Sequence, residues 1–299
     1  MNLCLGTVQF GMDYGVRGQK RPLIAESLAM LEYAVQNGIN TFDTANAYGI
    51  AEEIIGLWLS RDSVKRRQIK LISKSMPNLL DGLPQEQYYG AMKKNLQLSL
   101  MRMGTDFLDC YLLHSARYVF EDAAIDALVQ LKKDGIVGEI GASVYEVDEA
   151  LHGAVHLKMD MLQLPYSIFD QRMLHGGVFD LAKEHGCVLH ARSAFLQGLI
   201  LTHEHEVPPF LHKARPILND FDKICEKTGL SLVQLALGYV KQQSAISHLV
   251  FGVDNLVQLK ENIELFNQDI EPDIINEVSS KFKNIDADII VPNLWKGDL

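Results

Sequence analysis

Four polar side chains with the chemistry needed for proton transfer each follow a short apolar stretch of the sequence. They are Asp43, Tyr48, Lys74 and His114. Tyrosine is a poor acid at neutral pH because its ordinary pKa is about 10, but a neighbouring ammonium group stabilises the phenolate. At about 4 Å and an effective dielectric constant of about 20, that attraction reaches about 4 kcal/mol, or up to about 3 pKa units. The sequence therefore predicts that Lys74 lowers the pKa of Tyr48 and makes it a proton donor.

This set of side chains suits the reduction of a carbonyl group. Hydride addition builds negative charge on the carbonyl oxygen, so the site must offer a proton donor there. Tyr48 is the expected donor, and Lys74 is its electrostatic partner. A carboxylate at Asp43 would keep Lys74 charged where water is partly excluded. His114 would hydrogen-bond the substrate oxygen as a neutral imidazole.

The fold must bring these four residues together. Apolar strand-like stretches alternate with helical patterns along the chain, which favours an α/β fold with a parallel sheet covered by helices. Strands are predicted at residues 3–6, 40–43, 70–74, 107–113, 137–143, 161–164, 188–191 and 247–251. In a (β/α)8 barrel the carboxyl ends of all strands open on one face. The four side chains would converge there.

The predicted helices alternate with the predicted strands, as they do in a (β/α)8 barrel. Helices are predicted at residues 23–37, 51–59, 85–103, 122–133, 147–155, 177–185, 215–228, 232–242, 256–266 and 273–283. Ser231 is a candidate N-cap. Glycines that follow helices, and so favour the left-handed conformation of a helix C-terminus, stand at Gly38, Gly135, Gly186 and Gly229.

Residues 1–299 are predicted to form a single TIM barrel domain, because no Pro/Ser-rich linker or low-complexity tract divides them. Long loops are expected at residues 76–84 and 194–215, on the face where strands end. Phe10, Tyr14, Met76 and Phe195 are candidates to line a substrate pocket there. The segment 285–299 would cover either the barrel mouth or its outside.

Composition narrows the range of functions. The formal charge of -10 and the lack of a long basic stretch argue against a nucleic-acid partner. No stretch reaches the roughly 18 apolar residues of a membrane span, and the N-terminus lacks a secretory pattern, so a cytoplasmic protein is expected. The four cysteines lack metal-ligand spacing and are interpreted as buried, inert thiols. The pair His152 and His156 and the segment 203–206 are interpreted as surface groups rather than metal ligands.

With these residues in place, the chain resembles the aldo-keto reductases over nearly its full length. The resemblance lies in residues 5–11, in residues 42–45 continuing through Tyr48, Glu52 and Gly56, and in residues 109–114. It implies a (β/α)8 barrel that reduces an aldehyde, ketone or sugar-derived carbonyl compound with NADP(H) or NAD(H). It also implies that Asp43, Tyr48, Lys74 and His114 are the catalytic residues. The small carbonyl substrate is the only partner it indicates, and the oligomeric state stays open.

The resemblance also nominates cofactor contacts. Ser143 and Gln163 would bind the nicotinamide carboxamide. The residues expected to wrap the pyrophosphate are Arg192, Ser193, Phe195, Gln197 and Gly198. Those expected to hold the adenosine half are Gly252, Gln258, Glu261 and Asn262.

Three positions depart from the usual pattern of that family. Val144 replaces an asparagine, which removes one amide contact. Arg192 replaces an aromatic ring, although its flat guanidinium can still stack. Asp254, with uncharged neighbours, stands where NADP-preferring relatives place basic residues, and a carboxylate repels a phosphate. The choice between NAD and NADP therefore stays open, with Lys260 or another loop as a possible source of compensating charge.

Two other functions also stay open. Lys74 could form a Schiff base in a lyase, as lysines at barrel strand ends do. The fold could instead bind a nicotinamide nucleotide as a sensor or accessory protein without turnover, since a fold does not guarantee activity.

Overall fold

The computed structural model describes residues 1–62, 65–156 and 159–295. The eight strands in this part of the chain are parallel and hydrogen-bond in sequence order, and the first pairs with the last, so the sheet closes. They are β1 Asn2–Gly6, β2 Thr41–Asp43, β3 Lys70–Lys74, β4 Leu108–Leu113, β5 Val137–Ser143, β6 Met161–Pro165, β7 Val188–Arg192 and β8 Ile246–Phe251. The predicted (β/α)8 barrel is confirmed, with each strand end displaced from its predicted position by at most one residue.

Helices connect successive strands on the outside of the barrel. The α-helices are α1 Val8–Gly11, α2 Ile24–Gln36, α3 Ala51–Leu59, α4 Lys65–Gln68, α5 Tyr88–Met103, α6 Asp122–Lys133, α7 Val147–Val155, α8 Arg172–His175, α9 Val178–His185, α10 Arg215–Thr228, α11 Leu232–Lys241, α12 Leu256–Phe266, α13 Pro272–Lys281 and α14 Ala287–Ile290. Short 3-10 helices lie at Gln85–Gln87, Ala116–Phe120, Leu196–Leu201, Glu204–Glu206, Pro209–Ala214 and Pro292–Leu294. Each predicted helix is present with ends displaced by at most three residues.

Helix α6 shows why these segments are helical and why they pack where they do. It buries Ile125, Leu128 and Leu131, whose spacing of three residues places them on one face. Asp122 lies in its first turn and Lys133 in its last. At these ends a negative and a positive charge, respectively, interact favourably with the helix dipole. The apolar face packs on the sheet, and the charged ends meet solvent.

The predicted helix-end signals are also confirmed. The Ser231 hydroxyl accepts a hydrogen bond from the backbone N–H of Gln234 at 3.1 Å, as an N-cap does. The four glycines that were predicted to follow helices have positive φ angles between 69° and 84°. Such angles favour glycine because it has no Cβ atom.

The shortest elements were not predicted. Helices α1, α4, α8 and α14 each have four residues, too few for a hydrophobic period to show. The segment 194–215, predicted as a long loop, contains three 3-10 helices. It is therefore a structured wall rather than an irregular connection.

The C-terminal segment packs against that wall. Helix α14 contacts the 3-10 helix at Pro209–Ala214, and Lys213 pairs there with Asp288. Trp295 is buried and donates a hydrogen bond from Nε1 to the carbonyl of Ile289 at 3.1 Å. The predicted segment thus lies on the loop after β7 as far as residue 295, and residues 296–299 fall outside the described part.

Side chains inside the barrel form two different layers. Ile72, Cys110, Leu112 and Met161 make an apolar cluster. His190 and His248, on adjacent strands, stack with ring centroids 4.4 Å apart. Since side chains alternate along a strand, Ile72 lies one layer below Lys74 on the same face of β3.

Membrane-spanning helices, cysteines and metal-binding groups were also considered from the sequence. No helix in the described ranges is both long and apolar enough to cross a membrane. All four cysteines are free thiols, and Cys225 is only partly buried, whereas the other three are fully buried. Within the same ranges, no group of three or more His, Cys, Asp or Glu side chains is arranged to hold a metal ion.

Candidate active site

Three of the four predicted catalytic residues lie at the carboxyl ends of neighbouring strands. Asp43 ends β2, Lys74 ends β3, and His114 directly follows β4. Tyr48 lies between β2 and α3. The structure brings all four together at the barrel mouth, as expected for parallel strands that open on one face.

Lys74 is the centre of this cluster. Its Nζ donates hydrogen bonds to both carboxylate oxygens of Asp43, at 2.8 and 2.7 Å, and to the carbonyl of Thr44 at 3.0 Å. It also donates to the Tyr48 hydroxyl at 3.3 Å. The side chain of Lys74 is only 1% exposed. A buried ammonium with four acceptors is held in place and kept charged.

Asp43 has a second partner across the barrel. The amide Nε2 of Gln163 donates to Asp43 Oδ1 at 2.8 Å, and Gln163 is paired in register with Ser143. The carboxylate is thus held from two sides. Gln163, which was predicted only as a nicotinamide contact, also supports the predicted proton-transfer group.

The predicted fall in the pKa of Tyr48 is wrong in direction. Burial raises the pKa of Tyr48; the charge of Lys74 acts in the opposite direction but does not outweigh the loss of solvent. The sequence argument counted the ammonium and could not count the depth of burial. A raised pKa keeps Tyr48 protonated at neutral pH, which is the form that can donate a proton.

The pKa of Lys74 is raised as well. Burial, the largest single effect, opposes its charge, but the combined attractions to Asp43 and Tyr48 outweigh it. Lys74 is therefore an ammonium group throughout the physiological range.

His114 completes the cluster as a neutral ring. Burial, followed by the charges of Lys74 and Arg192, lowers its pKa to about 3. Its ring packs edge-on against Tyr48, with centroids 5.8 Å apart. His114 Nδ1 is buried and has no hydrogen-bond partner among the described residues. An unpaired buried nitrogen beside a phenol is a feature that a bound ligand would explain.

A continuous cleft leads from this cluster to the start of α12. Asp43, Tyr48 and His114 line one part of it, and Lys74 lies behind them. All of the predicted cofactor residues line the same cleft: Ser143, Gln163, Arg192, Ser193, Phe195, Gln197, Gly198, Gly252, Gln258, Glu261 and Asn262. The structure therefore brings together residues that are more than 200 positions apart in the chain.

The wall after β7 is held in an unusual backbone conformation. Ser193, Leu196 and Gln197 have φ angles of 65°, 47° and 54°, in the left-handed region that such residues rarely adopt. Each costs on the order of 1–3 kcal/mol, and such costs persist where the surroundings fix the conformation. Here the carbonyl of Gln197 accepts a hydrogen bond from the backbone N–H of Val16 at 2.9 Å. This bond ties the loop after β1 to the cleft wall.

The chain is similar in sequence and in fold to known proteins. The sequence model of the Aldo/keto reductase family matches residues 2–283. This chain belongs to the aldo/keto reductase family. Protein tas of Escherichia coli (strain K12) is 26% identical, in an alignment that covers 93% of each protein.

Two further relatives have similar coverage. The NADH-specific methylglyoxal reductase of Escherichia coli (strain K12) is 26% identical, covering 77% of this chain and 79% of that enzyme. A solved structure of a Pseudomonas aeruginosa protein grouped with the aldo-keto reductases shares the fold, with a TM-score of 0.67, 23% identity and 88% coverage of both chains. Oxidoreductase activity is the general activity of this family.

A nicotinamide nucleotide fits the cleft of this aldo/keto reductase on two observations. Buried atoms without partners in the described ranges include Gln9 Oε1 and Arg192 Nε, in addition to His114 Nδ1, and all three residues line the cleft. Gly252 lies against one of these atoms, since a Cβ atom there would lie 2.2 Å from Gln9 Oε1 and would displace the Gln9 side chain. A cleft lined by unpaired polar atoms can accept an extended polar ligand.

Sequence reasoning missed several cleft residues of this family member. Gln9, Arg17, Gln19 and Tyr145 all line the cleft. Gln9 follows β1 closely, so the rule that strand ends carry function would have found it. Nothing in the sequence indicates that Tyr145 lies under Arg192, whose guanidinium carbon is 4.2 Å from the ring centroid.

Two predicted pocket residues lie elsewhere. Phe10 is fully buried in the core, and Met76 is 44% exposed; neither lines the cleft. Tyr14 and Phe195 do line it. Hydrophobic residues beside a strand end can face the core, the site or solvent, and sequence alone does not distinguish these directions.

Proposed function

We propose that this protein reduces small aldehydes or ketones, including sugar-derived ones, with Tyr48 as the proton donor. The observation that supports this most directly is the hydrogen-bonded series from Asp43 through Lys74 to Tyr48, beside an unpaired nitrogen of His114. The raised pKa values keep Lys74 charged and Tyr48 protonated at neutral pH, and the lowered pKa of His114 keeps its ring neutral, as carbonyl reduction requires. The reverse reaction, oxidation of an alcohol, would use the same groups.

A bound nicotinamide nucleotide supplies the hydride in such a reaction. Ser143 and Gln163, beside the catalytic cluster, would hold its nicotinamide end, and the wall from Arg192 to Gly198 would hold its phosphates. Phosphate binding after the seventh strand is a frequent use of this barrel face.

Tyr48 gives its hydroxyl proton to the carbonyl oxygen as negative charge develops there. The resulting phenolate lies beside the Lys74 ammonium, which stabilises it. Lys74 does not lose its own proton, because Asp43 accepts two hydrogen bonds from it. Asp43 is kept in place by Gln163.

His114 acts as an orienting donor. A neutral imidazole carries one N–H group, which can bond the carbonyl oxygen and set its position relative to Tyr48. Because the pKa of His114 is lowered to about 3, the ring adds no positive charge that would compete with Lys74 at neutral pH.

The Schiff-base alternative fits the contacts of Lys74 less well. Imine formation needs a neutral, accessible amine. Lys74 is buried, its pKa is raised, and it makes hydrogen bonds to Asp43, Thr44 and Tyr48. The sensor alternative predicts the same cleft and differs only in turnover.

The test is a panel of small carbonyl compounds assayed with NADH and NADPH on wild type and on Tyr48→Phe. The panel includes 2-oxoaldehydes, because one relative is named a methylglyoxal reductase. Tyr48→Phe should lower kcat/KM by about 10²–10⁴-fold, the usual contribution of a general acid, while nucleotide binding is retained. Tyr89→Phe, at a surface tyrosine outside the cleft, is the matched control.

Undiminished turnover in Tyr48→Phe would refute the proposed role of Tyr48. Tight binding of either nucleotide without reduction of any compound would favour the sensor alternative.

A further inference from the structure

The two ends of the cleft differ in a way that bears on the choice of cofactor. This inference rests on the proposed function, which puts the nicotinamide end beside Tyr48. The adenosine end must then lie along the cleft toward the start of α12, where Asp254, Gln258 and Asn262 line the wall. NADH and NADPH differ only there, because NADPH carries a dianionic phosphate in place of the ribose 2′-hydroxyl.

In the described part of the chain, no unpaired cation lines that end of the cleft. Among the described residues, the lysines and arginines that line the cleft are Arg17 and Arg192. Arg192 is at the catalytic end, where its charge acts on His114, and Arg17 is paired with Glu206 at 3.2 Å. Lys260, named above as a source of compensating charge, lies over the ring of Tyr33 at 5.3 Å and does not line the cleft.

Three of the backbone N–H groups at the start of α12 already have acceptors within the protein. Helix N-termini bind anions through unpaired backbone N–H groups. Here the N–H of Asp254 donates to the side chain of Gln258 at 2.8 Å, and the N–H of Gln258 donates to Asn255 at 2.9 Å. The N–H of Leu256 donates to the carboxylate of Glu26 at 3.4 Å. These three N–H groups are therefore already bonded to protein oxygens, and a phosphate would have to displace those oxygens to use them.

The same contacts fix a carboxylate at this end. Gln258 Nε2 donates to Asp254 Oδ2 at 3.3 Å, so one glutamine holds both the backbone and the side chain of Asp254. A carboxylate accepts hydrogen bonds from a ribose diol and repels a phosphate. Asn262 is 6% exposed, lines the cleft and makes no side-chain hydrogen bond to any described residue, so it is a further polar group that a ligand would satisfy.

We propose that this enzyme uses NADH and that Asp254, fixed by Gln258, rejects the 2′-phosphate of NADPH. The ribose hydroxyls of NADH donate to the carboxylate, and the bulkier, charged phosphate finds acceptors and negative charge where it needs donors. The selectivity comes from the adenosine end alone, so it is independent of the carbonyl substrate.

The proposal is tested by fluorescence titration of the purified protein with NADH and with NADPH, without substrate. Wild type should bind NADH more tightly by roughly tenfold or more, a difference well within reach of one unfavourable charge contact. Asp254→Asn, which removes the charge and keeps the shape, should narrow that ratio mainly by improving NADPH binding. Gln258→Arg, which adds a cation and releases the Asp254 N–H, should reverse the preference. Glu264→Gln, at an exposed carboxylate of the same helix that does not line the cleft, should leave the ratio unchanged.

Competition with ADP-ribose and with its 2′-phosphorylated form repeats the comparison on the adenosine half alone. Thermal unfolding of each variant shows that the helix is intact. Equal or tighter binding of NADPH by wild type, or an unchanged ratio in Asp254→Asn, would overturn the proposal while leaving the proposed function in place. Binding of neither nucleotide would refute the proposed function and the cofactor choice with it.

Discussion

Polar side chains occupy the inside of this barrel at two levels, and the two levels handle burial differently. The upper level, at the mouth, contains the ion pair of Lys74 with Asp43. The lower level contains His190 stacked on His248, both with pKa values lowered by burial, to about 3 and about 4. The Lys74–Asp43 pair at the mouth keeps its charges, whereas the buried histidines, His114 at the mouth and His190 and His248 below it, are neutral at pH 7.

The difference follows from the number of partners. Lys74 has four oxygen acceptors, and Asp43 receives hydrogen bonds from both Lys74 and Gln163. His190 Nδ1, in contrast, has no partner among the described residues. A charge survives burial only where hydrogen bonds compensate for lost water. His114 Nδ1, at the mouth, also lacks a partner, and the partners of His248 are the neutral hydroxyls of Ser247 and Thr41. Carboxylate compensation is seen at Lys74, where proton transfer is proposed.

The largest expected effect comes from breaking the upper ion pair. Asp43→Asn leaves the Lys74 ammonium buried without its counter-charge, which should lower the free energy of unfolding by about 3–5 kcal/mol. Carbonyl reduction should also be lost, because Lys74 can then lose its proton and no longer stabilise the Tyr48 phenolate. Urea unfolding and steady-state kinetics measure the two effects separately.

A second variant separates charge from packing in that experiment. Adding Lys74→Met to Asp43→Asn should restore part of the stability and none of the activity, since the unpaired charge is gone. Glu277→Gln, which breaks the exposed pair of Glu277 with Lys227, is the control and should change stability by less than about 1 kcal/mol. Equal losses for the buried and exposed pairs would contradict the contrast between compensated and solvated charge.

The upper level was predictable from sequence because each of its members lies near a strand end. Apolar stretches gave the strands, and a parallel barrel brings their carboxyl ends to one face, so Asp43, Lys74 and His114 had to meet. The pairing of Asp43 with Gln163 was not predictable, because it depends on side-chain reach across the barrel.

The remaining misses have the same physical origin. Burial of Tyr48 outweighs the effect of Lys74 on its pKa, and burial is a property of the whole fold. The left-handed conformations of Leu196 and Gln197 occur in a loop whose Gln197 carbonyl accepts a hydrogen bond from Val16, in a part of the chain far away in sequence. Local patterns identify elements, but they do not determine loop conformation or solvent exclusion.

The buried histidines, His190 and His248 at the lower level and His114 at the mouth, predict a loss of stability in acid. A lowered folded-state pKa means that the unfolded chain binds more protons than the native state below pH 6.5. The contribution of these histidines to the free energy of unfolding is therefore fully present above that pH. It is lost as the pH falls toward 3–4, at up to about 1.4 kcal/mol per pH unit for each histidine. Urea unfolding between pH 7 and pH 4 measures the slope.

His190→Phe keeps a ring for stacking and removes one titrating group. The variant should reduce the slope of unfolding free energy against pH by the contribution of one histidine. It should change the rate of carbonyl reduction at pH 7 by less than about twofold, because the lower level makes no contact with the proposed donor. An unchanged slope would show that the acid sensitivity arises elsewhere. His185→Gln, at an exposed histidine, serves as the control.

A smaller loss of stability than that of Asp43→Asn is expected at Gln163, the residue that joins Asp43 to the far side of the barrel. Gln163→Met has a similar volume and removes one donor to the carboxylate, which should cost about 1–3 kcal/mol of stability and lower kcat by roughly tenfold. Because Asp43→Asn removes the same charge-assisted bond, the double variant should lose less than the sum of the two single changes. Strict additivity would mean that Gln163 does not support Asp43, and the compensation of the upper ion pair would then depend on Lys74 and its other acceptors alone.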